Sequence, residues 1–199
     1  MGKLAENKKR NEQAILSAAI SLFANKGFEE TSISDIVSGS KLARGTFYNY
    51  FSSKEEIWDK FMENFISDIN IALIEERKQA EDIDEFLYNT FYSYLQFFSD
   101  PLFLDLIIRN QPIFRKSLFS SHSLKSLYLQ LEKDLIDSQY FTGLSPNQFK
   151  MVSYSMVGSA VELLIQANTA EQKISPEELS TFFKDLFWAG MKGMLNSSS

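Results

Sequence analysis

The chain has 199 residues, 44% of them apolar, and a formal net charge of −6, enough for one large or two small domains with a real core. It contains no cysteine, which excludes disulfides and thiolate metal sites and agrees with a reducing cytoplasm. The polar start MGKLAENKKRNEQ precedes no apolar run, and no stretch approaches about 18 uninterrupted apolar residues, so neither a signal peptide nor a membrane span is expected and a cytoplasmic location is.

Over residues 11–26 the apolar pairs Ala14 and Ile15, Ala18 and Ala19, Leu22 and Phe23 recur every four positions, one stripe of an amphipathic helix. Gly27 stands where a helix end wants a positive φ. Thr31 or Ser32 then caps a short second helix through residue 37, with Ile33, Ile36 and Val37 facing inward and Asp35 in its first turn. Ser38, Gly39 and Ser40 are expected to break it, and a third helix to follow over residues 44–50.

Later helix starts are written in the capping code, in which a side-chain oxygen takes a free N–H and a Glu or Gln three residues on takes another. Ser53 with Glu56 opens a helix to about residue 79, Asp82 with Glu85 one to about 98, and Asp100 before Pro101 opens another. Pro112 starts a new segment, and a helix is expected over 123–138. Ser145 with Gln148 and Ser175 with Glu178, each followed by Pro, open two long helices over 146–168 and 176–195. With no alternating β-type run and no Asn-Gly hairpin, the chain reads as all-α, with about nine helices.

The charge is unevenly spread. Residues 1–54 hold eight Lys or Arg against five acids, a net +3, while the remaining 145 hold twelve against twenty-one, a net −9. That is the distribution expected if one end approaches a polyanion. Catalytic chemistry has little to hold: His122 is the only histidine, and there is no glycine-rich phosphate loop and no His-Glu-x-x-His. No enzyme activity, metal or cofactor is expected.

A DNA-reading helix-turn-helix needs a first helix, a tight turn and a second helix whose N-terminal residues reach base edges, and residues 32–50 have those lengths. Arg44 can present its planar fork to guanine or phosphate, Gly45 lets the helix approach closely, and Thr46 can meet a phosphate or a thymine methyl. Tyr48, Asn49 and Tyr50 hold polar tips outward, while Phe47 and Phe51 anchor the helix inward. Lys54, beside the next helix start, and Ser32, Ser34 and Lys41 complete the candidate DNA-binding set. For Tyr48 and Tyr50, a packing role stands beside the DNA-contact role.

Residues 10–54 resemble the N-terminal domain of the TetR/AcrR family of bacterial transcriptional regulators. The resemblance rests on Ile15, Leu16, Ala18, Ala19, Leu22 and Phe23, then Gly27 and Phe28, then Thr31, Ser32, Ile33 and Ile36, then Gly45, Thr46, Phe47, Tyr48, Tyr50 and Phe51, and finally Lys54 and Glu55. Two positions depart from the family pattern. Lys41 stands where the family usually turns on Gly, and a left-handed backbone there carries a Cβ penalty of about 1 kcal/mol. Ala43 stands where Ser or Thr usually caps the recognition helix, which forfeits about 1 kcal/mol more.

The resemblance implies a helix-turn-helix domain over 1–54, and a ligand-binding and dimerisation domain over 55–199 with its dimer interface on the last two helices. Gly158, Ser159, Ala160 and Gly190 permit close helix approach there, and Phe183, Phe187, Met191 and Met194 share the expected interface. Phe182 and Leu186 recur on the same last helix, where an internal core competes with the interface as their role. The candidate ligand pocket is Phe91, Tyr92, Leu95, Phe98, Phe103, Ile107, Gln111, Phe114, Leu118, His122, Tyr128, Tyr154, Val157 and Val161, aromatic walls with few polar groups that suit a small hydrophobic or aromatic ligand. The implied function is a ligand-responsive regulator: a homodimer bound to double-stranded operator DNA, most often a repressor that its ligand releases, with no membrane partner. The rival is a helical protein-interaction or lipid-carrier module that does not read DNA.

Overall fold

The computed structural model describes residues 2–120 and 122–196, with side chains except at 119–124 and 196. Among the described residues there are ten α-helices and no strand, and none of the helices is long and apolar enough to cross a membrane. The all-α architecture with an N-terminal helix-turn-helix is as expected from the sequence. The helices are α1 (Lys3–Lys26), α2 (Ile33–Ser40), α3 (Arg44–Tyr48), α4 (Lys54–Gln79), α5 (Ile83–Gln96), α6 (Pro101–Arg109), α7 (Gln111–Ser120), α8 (His122–Asp137), α9 (Pro146–Thr169) and α10 (Pro176–Asn196). They form two compact units. The first takes the chain up to Phe65 together with Asp100–Ser120; the second takes Ile66–Ser99 and the chain from Ser121 onward. The division falls inside α4 and places α6 and α7 with the helix-turn-helix.

The caps form largely as the local code dictates. Gly27 ends α1 at φ 92°. Ser32 caps α2 in a reciprocal box with Asp35, and Ser145 caps α9 with Gln148. Asp82 accepts the N–H of Glu85, and Asp100 accepts that of Leu102 ahead of Pro101. At α4 the box is displaced by one residue: Ser53 Oγ accepts the Glu56 N–H, while the Glu56 carboxylate takes the N–H and hydroxyl of Ser52.

The expected break at Ser38, Gly39 and Ser40 does not occur; α2 runs through all three. Gly39 serves a close approach instead, since a Cβ there would lie 3.3 Å from the Cβ of Ala18 on α1. The α2 helix stops at Lys41, which takes the left-handed conformation (φ 57°, ψ 23°) that glycine favours. Ala43 precedes α3 with no side-chain cap, and α3 ends at Tyr48, with Asn49 and Tyr50 in the turn beyond it.

The core of the first unit is aromatic. Ile15, Ala19 and Phe23 of α1, Ile36, Phe47, Phe51, and Ile57 and Trp58 of α4 are buried together with Leu106, Ile107 and Phe114. Phe23, Phe28, Trp58 and Phe61 form a chain of ring contacts with centroids 5.1–5.9 Å apart. Asn110, at the joint of α6 and α7, is buried and holds the end of α1: its Oδ1 accepts the Phe28 N–H at 2.6 Å and its Nδ2 donates to the Phe23 carbonyl at 2.9 Å. Arg109 adds a bond from Nε to the Ala24 carbonyl at 2.8 Å. In the second unit α5 packs on α10 and α8 on α9, with Phe91 stacked on Phe183 at 4.1 Å and Tyr128 edge-on to Tyr154 at 4.8 Å.

Candidate nucleic-acid interface

Helix α3 has one face committed to the core and one free. Phe47 is wholly buried, and its N–H closes the first turn onto the Ala43 carbonyl at 3.0 Å. The opposite face leaves Arg44, Gly45, Tyr48 and Asn49 exposed, with Thr46 and Tyr50 half-buried. Tyr48 is 47% exposed although its ring edge packs on Phe47 at 5.3 Å. The Arg44 guanidinium lies 5.9 Å from the Tyr48 ring and reaches its hydroxyl at 3.5 Å, so the two side chains, one turn apart, point the same way. A Cβ at Gly45 would meet nothing within 4 Å; the chain's own packing does not require glycine there.

The surrounding residues hold this helix in place. Tyr50 accepts a hydrogen bond from Asn11 Nδ2 at 3.3 Å, which ties the end of the motif to α1. Lys54 donates to the carbonyls of Phe28 and Glu29 at 2.8 and 3.1 Å and lies over the Phe28 ring, so two of its three donors serve the loop after α1. Ser34 and Lys41 are exposed, and Ser32 is exposed but donates its hydroxyl to Asp35.

Asp35 collects three donors on one carboxylate oxygen: Lys26 Nζ at 2.7 Å, the Ser32 hydroxyl at 2.7 Å and the Ser32 N–H at 2.9 Å all reach Oδ2, while the α2 N-terminus adds its positive end. The Lys26 bond first, then those from Ser32, hold its pKa far below the ordinary 3.8. Because the folded value lies below the unfolded one, the stabilisation is complete above about pH 4 and is lost as pH falls below that through the depressed value. A carboxyl-carbon NMR titration should therefore find Asp35 still ionised where exposed aspartates are half protonated, with Lys26→Ala moving its midpoint upward. An unperturbed midpoint in the native chain would contradict the cap geometry.

The remaining sequence-chosen residues are divided between the two units. Phe103, Ile107, Gln111, Phe114 and Leu118 belong to the first unit; Phe91, Tyr92, Leu95, Phe98, Tyr128, Tyr154, Val157 and Val161 belong to the second. Phe103 stacks with Phe61 and Phe65, and Ile107, Phe114 and Leu118 are buried. Tyr92 meets Glu177 through its hydroxyl, and Tyr154 is exposed. His122 opens α8, and its side chain lies outside the described residues. Of the expected interface residues, Phe183 and Met191 are buried within the chain, Gly158 and Gly190 are exposed, and Ser159, Ala160, Phe187 and Met194 are half-buried. Phe182 and Leu186 of α10 are 54% and 50% exposed, and Met151 and Tyr154 of α9 are exposed as well.

The family profile of the bacterial regulatory proteins of the tetR family matches residues 15–60, the span from the middle of α1 to the first turns of α4. A crystal structure assigned to the TetR family, from Syntrophomonas wolfei, superposes with a TM-score of 0.75 over 94% of this chain and 97% of that one, at 24% identity. Residues 15–60 thus match the N-terminal domain of the tetR family. Within the tetR-family stretch, the HTH-type transcriptional regulator YvdT of Bacillus subtilis is 46% identical over 55 residues, which is 28% of this chain and 28% of YvdT. The match thus spans under a third of that relative. The likeness of fold extends over the C-terminal helices: FadR from Bacillus subtilis, crystallised in complex with stearoyl-CoA, superposes with a TM-score of 0.74 over 89% of this chain and 98% of that one, at 19% identity.

The residues that sequence reasoning missed are the supports. Asn110 holds Phe23 of α1 from 87 positions away, and no local pattern marks it. Arg77, in the run Glu75, Glu76, Arg77, Lys78, reads as a solvated charge yet is buried.

Proposed function

We propose that this chain is a transcriptional regulator that binds operator DNA as a homodimer, with α3 of each copy in a major groove, and that a small hydrophobic ligand releases it. The observation that carries the reading is the two-faced α3: Phe47 fixes it to the core while Arg44, Gly45, Tyr48 and Asn49 are exposed to solvent. Arg44 is placed to meet guanine or phosphate, and the bare Gly45 lets the backbone come close to DNA. The dimer reading is supported by exposed Met151, Tyr154, Phe182 and Leu186 on α9 and α10. Gly158 and Gly190 on the same helices would each accept a Cβ without touching anything in the chain, so their smallness suits an approaching second copy. For the ligand, the apolar side chains of α5, α8 and α9 supply the candidate walls, and a lipid-type molecule matches the stearoyl-CoA bound to FadR. The ligand would act through α4, whose residues run into both units. A hundredfold preference for the free state corresponds to about 2.7 kcal/mol of coupling.

Arg44→Ala combined with Tyr48→Ala should lower affinity for a bound duplex by about 2–4 kcal/mol, some 30-fold or more, with an unchanged melting temperature. Fluorescence anisotropy over a salt series measures it, and the native chain should also lose affinity steeply as salt rises. Equal affinity of native and variant chains would leave α3 without the role assigned to it. No retention on DNA at low salt would favour the interaction or carrier module instead.

A further inference from the structure

A cleft of about 320 Å³ opens in the second unit where the end of α4, the start of α5 and the second half of α8 meet, bounded among others by Arg77, Phe86, Gln130, Lys133, Asp134 and Tyr140. At its base is a charge that the fold has withdrawn from water. The side chain of Arg77 is 2% exposed, and its Nε–H donates to Asp134 Oδ2 at 2.7 Å. The other Asp134 oxygen is occupied by Gln130, whose Nε2 donates to Oδ1 at 2.8 Å. Asp134 is therefore shared between two donors and meets Arg77 through a single nitrogen, while Arg77 Nη2 is buried with no hydrogen-bond partner. Burial pulls the Arg77 pKa down and Asp134 pulls it back up, as expected for a guanidinium whose charge is only partly answered.

A guanidinium holds its donors in a rigid planar fork that matches the two oxygens of a carboxylate, and a buried donor without an acceptor is a place for one. The charge in the cleft points the same way: Arg77, Lys78 and Lys133 stand against Asp134 and Asp137, an excess of one positive charge. At the rim Lys133 is paired with Asp137 at 2.8 Å and Lys78 with Glu75 at 3.2 Å, both pairs exposed. Two aromatic rings also line the cleft. The Phe86 ring is buried and meets the Tyr140 ring edge-on at 6.4 Å, and the Tyr140 hydroxyl is directed to the Ala80 carbonyl at 3.4 Å. The cleft volume is at the small end of the range for organic-ligand sites. An inorganic oxyanion would use the fork and leave the two rings without a partner.

We propose that this cleft binds a small organic carboxylate, with its oxygens on the free side of Arg77 and its hydrocarbon against Phe86 and Tyr140. The site is separate from the DNA-reading helix and stands whether or not the regulator reading does.

Benzoate is the probe, and the arginine Nε–H resonances of the full-length ¹⁵N-labelled chain are the readout. The chain has five arginines, and that of Arg77 is assigned by through-bond correlation to its backbone. At constant ionic strength, benzoate should move the Arg77 resonance saturably with a dissociation constant of about 1 mM or below, and inorganic phosphate should not. Lys133→Glu, a surface change that leaves the Arg77 and Asp134 pair intact, should weaken benzoate about threefold or more. A shift that never saturates, an equal response to phosphate or chloride, or unchanged affinity in Lys133→Glu would each overturn the proposal.

Discussion

Replacing Trp58 with alanine is expected to lower stability by about 3–5 kcal/mol, the largest single effect foreseen for this chain. Trp58 sits in the second turn of α4 with 0% exposure, and its indole lies within 5.9 Å, centroid to centroid, of Phe23, Phe28 and Phe61. Its N–H donates to the hydroxyl of Ser117 on α7 at 2.9 Å, a group that is itself buried. Alanine would open a cavity that three rigid rings cannot close and would strand the Ser117 oxygen. Trp58→Phe retains most of the packing and loses the hydrogen bond, so it should cost about 1–2 kcal/mol. Urea unfolding of the three chains measures both values; a Trp58→Ala cost under about 1 kcal/mol would mean that this aromatic cluster does not hold the first unit together.

Asn110→Leu is expected to cost about 2–4 kcal/mol, with little change in volume to account for it. Asn110 is 3% exposed and has both ends of its amide in use, accepting from the Phe28 N–H and donating to the carbonyls of Phe23 and Leu106. Leucine fills the space and leaves the Phe28 N–H unpaired out of reach of water. Because that N–H belongs to the loop that carries Lys54's two carbonyl partners, the substitution should also loosen the approach to α2. Hydrogen exchange offers a residue-level check: the Phe28 amide should be strongly protected in the native chain and exchange much faster in Asn110→Leu. Equal protection in both would remove the latch from the account.

Signals confined to a few neighbouring residues were legible in the sequence. Ser32 and Ser145 cap their helices because the partner lies three residues on, and Gly27 takes positive φ because the helix ends there. The penalties foreseen at Lys41 and Ala43 are visible as a left-handed lysine and a helix with no side-chain cap. Gly39 was misjudged for a tertiary reason: its lack of a side chain answers Ala18 on another helix, not the backbone of its own. No local pattern marks Arg77 as buried, because its acidic sequence neighbours are local and its partner Asp134 is 57 residues away. The aromatic residues chosen for a pocket share one composition over residues 91–161, and composition cannot tell Phe114 in the first unit from Phe91 stacked on Phe183 in the second. On α10 the opposite ambiguity arose: Phe182 and Phe183 are adjacent and equally apolar, yet 100° of helix turn separates an exposed ring from a buried one.

Selection of bound sequences from a random duplex library by the full-length chain tests the central claim most directly. A dimer that reads DNA through α3 should enrich an inverted repeat whose half-site centres lie about one helical turn, or a multiple of it, apart, and the chain carrying Arg44→Ala and Tyr48→Ala should not. Recovery of no common sequence, or of the same one by both chains, would contradict it.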